Sequence, residues 1–189
     1  MTAKGFSMFE HALNLATRAS YVADLGYVST ISRSNFDEQE TFTFRSQVPC
    51  LEYVSLMIEN AILLKSDCAG RVYAGFERLS RMEAVADRYL RIADLSERVF
   101  VFGEADWTPP RHPRMKTIVV ASDTSVAREW FVISNCLTQK VALVAKDEDG
   151  FDAPVLEARH FRAFKTHDPK IIARLTDAAE NLIDELLVS

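Results

Sequence analysis

Apolar and polar residues are arranged between positions 71 and 103 in a pattern that predicts the unit around which the rest of the chain is built. Residues 72–76 form an apolar run of strand length, and residues 99–102 form a second one. Between them, Ser80 with Glu83 three residues later predicts a capping box at the start of a helix. The apolar face of that helix comprises Met82, Val85, Ala86, Tyr89, Ile92 and Ala93. A strand, a helix and a strand within about thirty residues predict a βαβ unit with parallel strands.

Three further segments have helical periodicity. Residues 7–19 predict a first helix that Ser7 caps. Segment 48–65 is the most hydrophobic of the three and is apolar nearly all round, which predicts burial against its own sheet or a partner chain. Asp168 as N-cap and Pro169 as first helical residue predict a final helix, which covers the sheet or pairs with its equivalent in a dimer. The apolar stripe of this final helix comprises Ile171, Ile172, Leu175, Ala179, Leu182, Ile183 and Leu186.

Short apolar runs outside the central unit predict the remaining strands. Residues 27–31 indicate a short strand after Gly26, and residues 41–44 indicate a short edge strand within segment 32–47. That polar and acidic segment is otherwise predicted to be a mobile surface loop. Four further runs lie at 117–121, 129–133, 141–145 and 158–164. The short gaps between these four runs permit antiparallel hairpins and exclude helical crossovers, so they predict an antiparallel meander.

Together these elements predict an α/β fold, with α+β as the alternative. The mixed sheet is expected to have about five to six strands, from the central βαβ unit and the C-terminal meander, with flanking helices. A chain of 189 residues is long enough for one domain with a proper core. We therefore treat residues 1–189 as a single domain, in which residues 1–47 form a helical and partly mobile N-terminal extension.

Composition and charge narrow the functional classes. Apolar residues make up 48% of the chain, and its net charge is −5 at pH 7. An acidic balance argues against direct binding of nucleic acid, which needs a basic face. No apolar run approaches the roughly 20 residues that span a bilayer, and the N-terminus lacks the apolar core of a signal peptide. We therefore expect a cytoplasmic protein without a membrane span.

The three cysteines are widely spaced and form no paired motif; they are Cys50, Cys68 and Cys136. Because cytosolic thiols usually stay reduced, we expect small buried apolar residues and no disulfide framework. The alternative is a redox sensor, for which Cys136 is the candidate. Cys136 and His160 would make a nucleophile and its base only if the fold brought the two side chains together.

Motifs for familiar cofactors and catalytic centres are absent from the sequence. Neither GxGxxG nor GxxxxGK[ST] occurs among the six glycines, and neither GxSxG nor HExxH is present. The four histidines do not fall at metal-ligand spacing, so no metal site is predicted. The cofactor is therefore unknown, and no catalytic residue is assigned.

A ligand pocket is expected where the ends of the central strands meet the proline-rich segment 104–116. Trp107 lies in that segment, and we favour packing of its ring on the core over presentation to a ligand. Arg78 near a strand end could hold an anion, although the mixed charges around it are typical of a solvated helix face. Glu129 precedes two aromatic residues and could line a pocket or belong to an ordinary strand. The candidate ligand-binding residues are Tyr73, Phe76, Arg78, Trp107, Glu129 and Trp130.

Four patterns typical of a fold give the chain a family resemblance. They are an apolar helix ending in Ile58-Glu59-Asn60, an aromatic strand ending in Gly75-Phe76-Glu77, the helix leading into Val99-Phe100-Val101-Phe102-Gly103, and the strand Arg128-Glu129-Trp130-Phe131. On these residues, from about position 49 to the C-terminus, the chain resembles the DICT sensory domain. That family is named for its occurrence beside diguanylate cyclases and two-component systems, and the resemblance transfers no catalytic residues.

The resemblance implies a non-enzymatic sensory or regulatory domain of bacterial signal transduction, which binds a small ligand or chromophore or a signalling protein. Family members are usually attached to output modules, and none is evident here, so the implied partner acts in trans. Two alternatives stay open: a small cytosolic enzyme with an unrecognised cysteine or acid–base site, and a homo-oligomeric interaction protein without a ligand. We also expect a homodimer through segment 48–65 or segment 170–187.

Overall fold

The computed structural model describes residues 5–19, 22–31, 36, 38–65, 68–150 and 153–188. Its helices are α1 (Met8–Ala19), α2 (Val48–Leu63), α3 (Ala86–Leu95) and α4 (Pro169–Val188), with short 3₁₀ helices at Val28–Thr30, Leu79–Val85, Ser125–Arg128 and Leu156–Ala158. Its strands are β1 (Ala23–Tyr27), β2 (Thr41–Gln47), β3 (Arg71–Arg78), β4 (Arg98–Glu104), β5 (Met115–Val119), β6 (Glu129–Asn135), β7 (Lys140–Asp147) and β8 (His160–Thr166). None of the described helices is long and apolar enough to cross a membrane.

The described residues form one mixed sheet of eight strands in the order β1-β2-β8-β7-β6-β3-β4-β5. Strands β3, β4 and β5 are parallel, β1 is parallel to β2, and the other neighbours are antiparallel. The predicted α/β class, the β3-α3-β4 unit and the antiparallel β6-β7-β8 meander are confirmed. The sheet has more strands than the predicted number because β1 and β2 extend it beyond β8.

The segment before α2 contributes more to the sheet than its polar sequence predicts. β2 is an interior strand between β1 and β8, not a short edge strand, and its residues 42–44 are buried. The predicted strand 27–31 is wrong, because β1 ends at Tyr27 and a 3₁₀ helix follows. Gly26 lies inside β1, with a φ of 73°, where the register of β1 against β2 shifts. Glycine here marks an irregularity within a strand and not the start of one.

The segment for which mobility is predicted, 32–47, falls only partly within the described residues. Residues 32–35 and residue 37 lie outside them. Residues 41–47 form β2, and α1 packs in the core on one face of the sheet. The described part of the predicted N-terminal extension is therefore continuous with the sheet.

Each face of the sheet buries an apolar core under two helices. α2 and α3 cover one face, here called the α2/α3 face, and α1 and α4 cover the other, the α1/α4 face. Alternate residues of a strand point to opposite faces, so Val72 and Ala74 of β3 enter the α2/α3 core while Tyr73 enters the α1/α4 core. The apolar stripe of α4 is buried on its own sheet, which is the first of the two placements expected for it.

Two predicted helix caps are confirmed. The Ser7 Oγ accepts the backbone N–H of Glu10 at 3.1 Å, in front of α1. The Asp168 Oδ1 accepts the backbone N–H of Lys170 at 2.8 Å, at the start of α4. Both caps depend on residues close in sequence, which is why the sequence identifies them.

The capping box predicted at Ser80 and Glu83 does not form. The chain makes a 3₁₀ helix over Leu79–Val85, and α3 begins only at Ala86. The Ser80 hydroxyl instead donates to Asp106 Oδ2 at 2.6 Å, and its backbone N–H donates to Oδ1 at 2.9 Å. A carboxylate from the following loop therefore replaces the local cap.

β5 lies at the edge of the sheet beside β4, and the segment that joins the two strands contains no helix. The prediction that residues 117–121 begin the antiparallel meander is wrong, since β5 is parallel to β4. β6 pairs with β3, opposing Trp130 to Phe76, so β3 and β4 lie between the consecutive strands β5 and β6. A short gap in sequence thus does not make two strands neighbours.

Cys68 and Cys136 form a disulfide, which corrects the prediction that no disulfide is present. Their Cα atoms lie 5.0 Å apart, and both side chains are buried as expected. The pairing arises because Arg71 at the start of β3 lies opposite Asn135 at the end of β6, so the residues just outside these strands meet. A separation of 68 residues gives no motif from which the bond could be inferred. Cys50 is a free thiol.

Candidate ligand cavity

A cavity of about 160 Å³ lies on the α2/α3 face. Its walls come from α2, from the 3₁₀ helix Leu79–Val85 together with α3, and from strands β3 and β6. Most of its walls are apolar or aromatic. It is lined by Glu52, Ser55, Leu56, Glu59, Gly75, Phe76, Arg81, Ala84, Val85, Tyr89, Trp130, Phe131 and Val132. A mainly apolar pocket with a few convergent polar groups is the usual form of a small-molecule site.

A wider groove of about 760 Å³ lies between α1 and α4 on the opposite face. Its rim is formed largely by charged and polar side chains on the outer sides of the helices, namely His11, Arg18, Arg174, Asp177, Asn181 and Glu185. The cavity on the α2/α3 face is lined by aromatic rings and backed by the sheet. It is therefore the better candidate for a ligand site.

Three contacts bring polar groups to the cavity wall. The Trp130 indole N–H donates to Ser55 Oγ at 3.0 Å, and the Tyr89 hydroxyl donates to Glu59 Oε1 at 2.9 Å. The Arg81 guanidinium carbon lies 5.5 Å from the centroid of the Trp130 ring, a cation–π distance. Ser55 and Glu59 are four residues apart in α2, so helical geometry places both on its buried side.

Glu59 is a buried carboxylate whose acceptors are only partly used. Its side chain is on the inner side of α2 and the residue is 3% exposed. Burial raises the pKa of Glu59 to about 7, although the Tyr89 hydrogen bond and the charge of Arg88 both act to lower it. The Oε2 atom lies 3.4 Å from Arg88 Nε and accepts no hydrogen bond from any residue that the structure describes. Glu59, a residue of the cavity wall, therefore has one buried oxygen that is ion-paired but accepts no hydrogen bond.

A network of buried ion pairs lies beside the cavity wall. The Arg159 guanidinium donates to both carboxylate oxygens of Glu77, at 3.0 and 2.9 Å, and to Asp147 Oδ2 at 2.7 Å. Arg81 donates to Glu77 from the other side. Arg159 and Glu77 are each at most 1% exposed, so these charges are compensated by one another and not by water. The network fixes Arg81, and Arg81 in turn covers the Trp130 ring.

Glu77 also has an unusual backbone conformation. Its φ is 61°, in the left-handed region that side chains other than glycine rarely adopt. The residue lies where the pairing of β3 with β4 is interrupted, between Gly75 and Arg78. A strained residue persists only where its surroundings hold it, and here the bonds to Glu77 from two arginines do so.

Of the six predicted ligand-binding residues, Phe76 and Trp130 line the cavity. Trp107 is half-buried against the α2/α3 core, the favoured one of its two expected placements, and it is not a wall residue. Arg78 is half-buried at the end of β3, where its charge helps to lower the pKa of Asp106. Of these four side chains, the structure therefore places Phe76 and Trp130 together in the cavity wall and leaves Trp107 and Arg78 outside it.

Tyr73 and Glu129, the remaining two, lie on the opposite face of the sheet. The Tyr73 hydroxyl donates to Glu180 Oε1 at 2.5 Å, and burial together with this bond raises the tyrosine pKa above its usual range. Binding of a ligand by any of the six residues stays a prediction.

Glu129 caps α1 from a distant strand. Its carboxylate accepts the hydroxyl of Ser7 and the backbone N–H groups of Met8, at 2.8 Å, and Phe9, at 3.2 Å. An anion at this position also interacts favourably with the helix dipole. Burial raises the pKa of Glu129 to about 7 against these hydrogen bonds, which lower it. The acceptors of Glu129 are thus occupied by the fold.

The structure does not bring Cys136 and His160 together. Cys136 follows the end of β6, where Asn135 lies opposite Lys140, whereas His160 begins β8 near the other end of β7. The His160 Nδ1 lies 2.8 Å from Asp149, and Cys136 is bonded to Cys68. Across the described ranges, no three or more histidine, cysteine or acidic side chains are grouped so that they could hold a metal ion.

Sequence reasoning missed the polar residues of this region. They are Glu59, Glu77, Arg81, Tyr89 and Arg159. One signal could have identified Glu59: it shares the inner side of α2 with Leu51, Ile58 and Ile62, so a charged residue lies in a mainly apolar stripe. No such signal exists for Arg159, which comes from an irregular segment after a 3₁₀ helix.

Residues 33–148 match the family model of DICT, described as a sensory domain in diguanylate cyclases and two-component systems. The chain belongs to the DICT family. This confirms the resemblance that the sequence patterns indicate, and all wall residues of the cavity fall within the matched segment. Arg159 lies outside it.

Comparison with other proteins gives more distant results. No curated protein matches the chain. Among solved structures, it is similar to TrmBL2, an archaeal chromatin protein with a novel mode of DNA binding, with a TM-score of 0.46 and 9% identity over 91% of this chain. The chain spans 59% of the length of TrmBL2. It is also similar to NucT from Helicobacter pylori, with a TM-score of 0.41 and 15% identity over 79% of this chain and 98% of NucT.

Proposed function

We propose that this chain is a non-enzymatic sensory domain of bacterial signal transduction that binds a small molecule in the cavity between α2 and the sheet. The supporting observation is the cavity itself. Aromatic and aliphatic walls line about 160 Å³ beside two buried polar side chains, Ser55 and Glu59. Protein interiors are close-packed, so a recess of this size that reaches the sheet is more typical of a binding site than of a structural scaffold.

We further propose that α2 transmits ligand binding to a protein partner, because its two sides belong to different surfaces. Its inner side supplies Ser55 and Glu59 to the cavity wall. Its outer side exposes Tyr53 at 60% and Met57 at 38%, and Leu64 just after the helix is 85% exposed. A shift of α2 on ligand binding would therefore move an exposed apolar surface that a partner can contact.

The partner is proposed to act in trans in the cytoplasm, and a second copy of the chain is proposed to pair through α2. Of the two helices expected at a dimer contact, α4 buries its apolar stripe against its own sheet, whereas α2 keeps apolar residues on its outer side. The acidic net charge of −5 favours a protein partner over direct contact with nucleic acid.

Toluene binding tests whether the cavity accepts a small molecule. The chain has two tryptophans, so the Trp107→Phe variant leaves Trp130 in the cavity wall as the single fluorescent reporter. We expect a saturable change in Trp130 fluorescence during a toluene titration. The matched Ala84→Phe variant fills the opening from an exposed wall position and is expected to abolish that change. If Trp130 stays silent up to the solubility limits of both toluene and 4-methylphenol, the proposal is contradicted. Native mass spectra of the same samples count the copies of the chain.

A further inference from the structure

The open acceptor of Glu59 indicates what kind of group the cavity receives. Glu59 is 3% exposed, yet its Oε2 accepts no hydrogen bond within the described part of the chain. A carboxylate has about four acceptor positions, and leaving a buried acceptor unused is unfavourable. A ligand that donates an O–H or N–H hydrogen bond would satisfy this atom. A ligand without a donor would leave it unsatisfied and more deeply buried.

The charges around this acceptor favour a neutral donor over a cation. Arg88 Nε already lies 3.4 Å from Oε2 of Glu59. The Arg81 guanidinium lies over the Trp130 ring in the same cavity wall. A cationic ligand would find the Glu59 carboxylate already paired with Arg88 and would lose its own hydration, whereas a neutral hydroxyl or N–H group would lose much less.

The volume and the walls limit the size of the ligand. A dry cavity of roughly 150 Å³ in another protein holds benzene, so the volume of about 160 Å³ here suits one ring with a small substituent. Three aromatic side chains, Phe76, Tyr89 and Trp130, contribute to the wall. Aromatic rings pack favourably edge-to-face or offset against one another, which favours an aromatic ligand.

We propose that the ligand of this cavity is a neutral one-ring aromatic molecule that donates an O–H or N–H hydrogen bond to Oε2 of Glu59. This inference rests on the proposed function, because it names the ligand class of the same cavity. Phenol-like and aniline-like molecules belong to this class. Charged amines and plain hydrocarbons do not.

Calorimetric titrations with 4-methylphenol and toluene test the inference, because the two molecules differ by one hydroxyl group. At pH 8, above the Glu59 pKa of about 7, the carboxylate is the acceptor. We expect 4-methylphenol to bind about tenfold or more tightly than toluene, since a hydrogen bond to a charged group gives a preference of that order. The Glu59→Met variant should reduce the preference to about twofold. The matched Glu83→Met variant removes an exposed carboxylate of the neighbouring 3₁₀ helix that does not line the cavity, and it should retain the preference.

The possible failures are distinguishable. Equal affinities for 4-methylphenol and toluene in the wild type overturn the donor class and leave the cavity as a binding site. Tighter binding of 4-methylbenzylamine than of 4-methylphenol overturns the neutral class. If neither aromatic molecule binds, the proposed function fails together with the inference. Where Glu59→Met does not fold, Glu59→Gln replaces it, since its amide keeps an acceptor for Tyr89 and should still weaken the preference.

Discussion

Each face of the sheet buries a glutamate with a raised pKa, and the two carboxylates are held in different ways. Glu129 on the α1/α4 face accepts hydrogen bonds from Ser7 and from two backbone N–H groups of α1. Glu59 on the α2/α3 face accepts one, from Tyr89, among the described residues. Burial raises the pKa of both residues to about 7. Burial and a raised pKa therefore do not by themselves separate a structural carboxylate from a candidate site.

The two carboxylates differ in whether an oxygen remains without a hydrogen bond. On the α1/α4 face, the Glu129 carboxylate accepts backbone N–H groups at the N-terminus of α1. Its role is therefore structural, because its removal would leave these N–H groups without an acceptor. The α2/α3 face leaves one oxygen of Glu59 unsatisfied beside an open volume, at a cost of about 1–3 kcal/mol for a buried acceptor. Such a cost is easier to explain at a binding site than in a scaffold.

The largest expected effect is on the network beside the cavity. Arg159→Leu leaves Glu77 and Asp147 buried without their common cation, so we expect the free energy of unfolding to fall by about 3–5 kcal/mol. Urea denaturation measures this change. The matched control is Arg162→Leu, which removes a half-buried arginine of β8 that lies over the Phe9 ring, and its effect should stay below about 1 kcal/mol. Similar losses in the two variants would show that the α2/α3 face does not depend on its ionic network.

A smaller effect separates the two glutamates directly. At pH 5 both carboxyls lie below their folded-state pKa of about 7 and are protonated, so only their hydrogen bonds differ. Glu129→Met leaves the first N–H groups of α1 without an acceptor, and we expect a loss of about 2–4 kcal/mol in the free energy of unfolding. Glu59→Met loses the bond from Tyr89 alone, for which we expect about 1 kcal/mol. The reverse ranking in urea denaturation would assign the structural role to Glu59.

Much of the fold could be predicted because its determinants are local. The helices follow from apolar spacing, and the caps at Ser7 and Asp168 follow from residues two or three positions away. The β6-β7-β8 meander follows from short gaps. Neighbours that are distant in sequence could not be predicted, since nothing local records that β2 joins β8, that β6 joins β3, or that Cys68 meets Cys136.

Strand geometry explains why four of the predicted site residues do not share one pocket. Side chains alternate between faces, so Tyr73 and Phe76, three positions apart in β3, point to opposite sides of the sheet. Glu129 and Trp130 are adjacent and are separated in the same way. Parity along each strand therefore predicts that these four residues cannot share one pocket. The contribution of α2 depends on tertiary packing, for which the sequence offers only the charge of Glu59 within an apolar stripe.

The last expected effect is a change in the pH dependence of stability. The folded-state pKa of Glu59, about 7, exceeds its ordinary value of 4.5, so the folded chain binds more protons between these two pH values. Its contribution to stability is therefore fully present below about pH 4.5 and is lost as pH rises toward 7, with a slope of at most about 1.4 kcal/mol per pH unit. Glu59→Gln should remove this share of the slope in urea denaturation across pH 4–8.

The charges that face Glu59 leave it as the group that titrates in this range. Arg81 and Arg88 are the basic side chains nearby, and burial raises the pKa of Tyr89 well above its usual value, so its hydroxyl stays neutral. Glu129→Gln should remove a similar share of the slope, since its carboxyl has a similar pKa. Saturating 4-methylphenol then distinguishes the two faces. A donor bound to Oε2 stabilises the carboxylate of Glu59 and lowers its pKa, so the ligand should flatten the wild-type and Glu129→Gln profiles. The Glu59→Gln profile should keep its slope, because its remaining buried carboxyl is already fully bonded to α1 and has no place for the ligand.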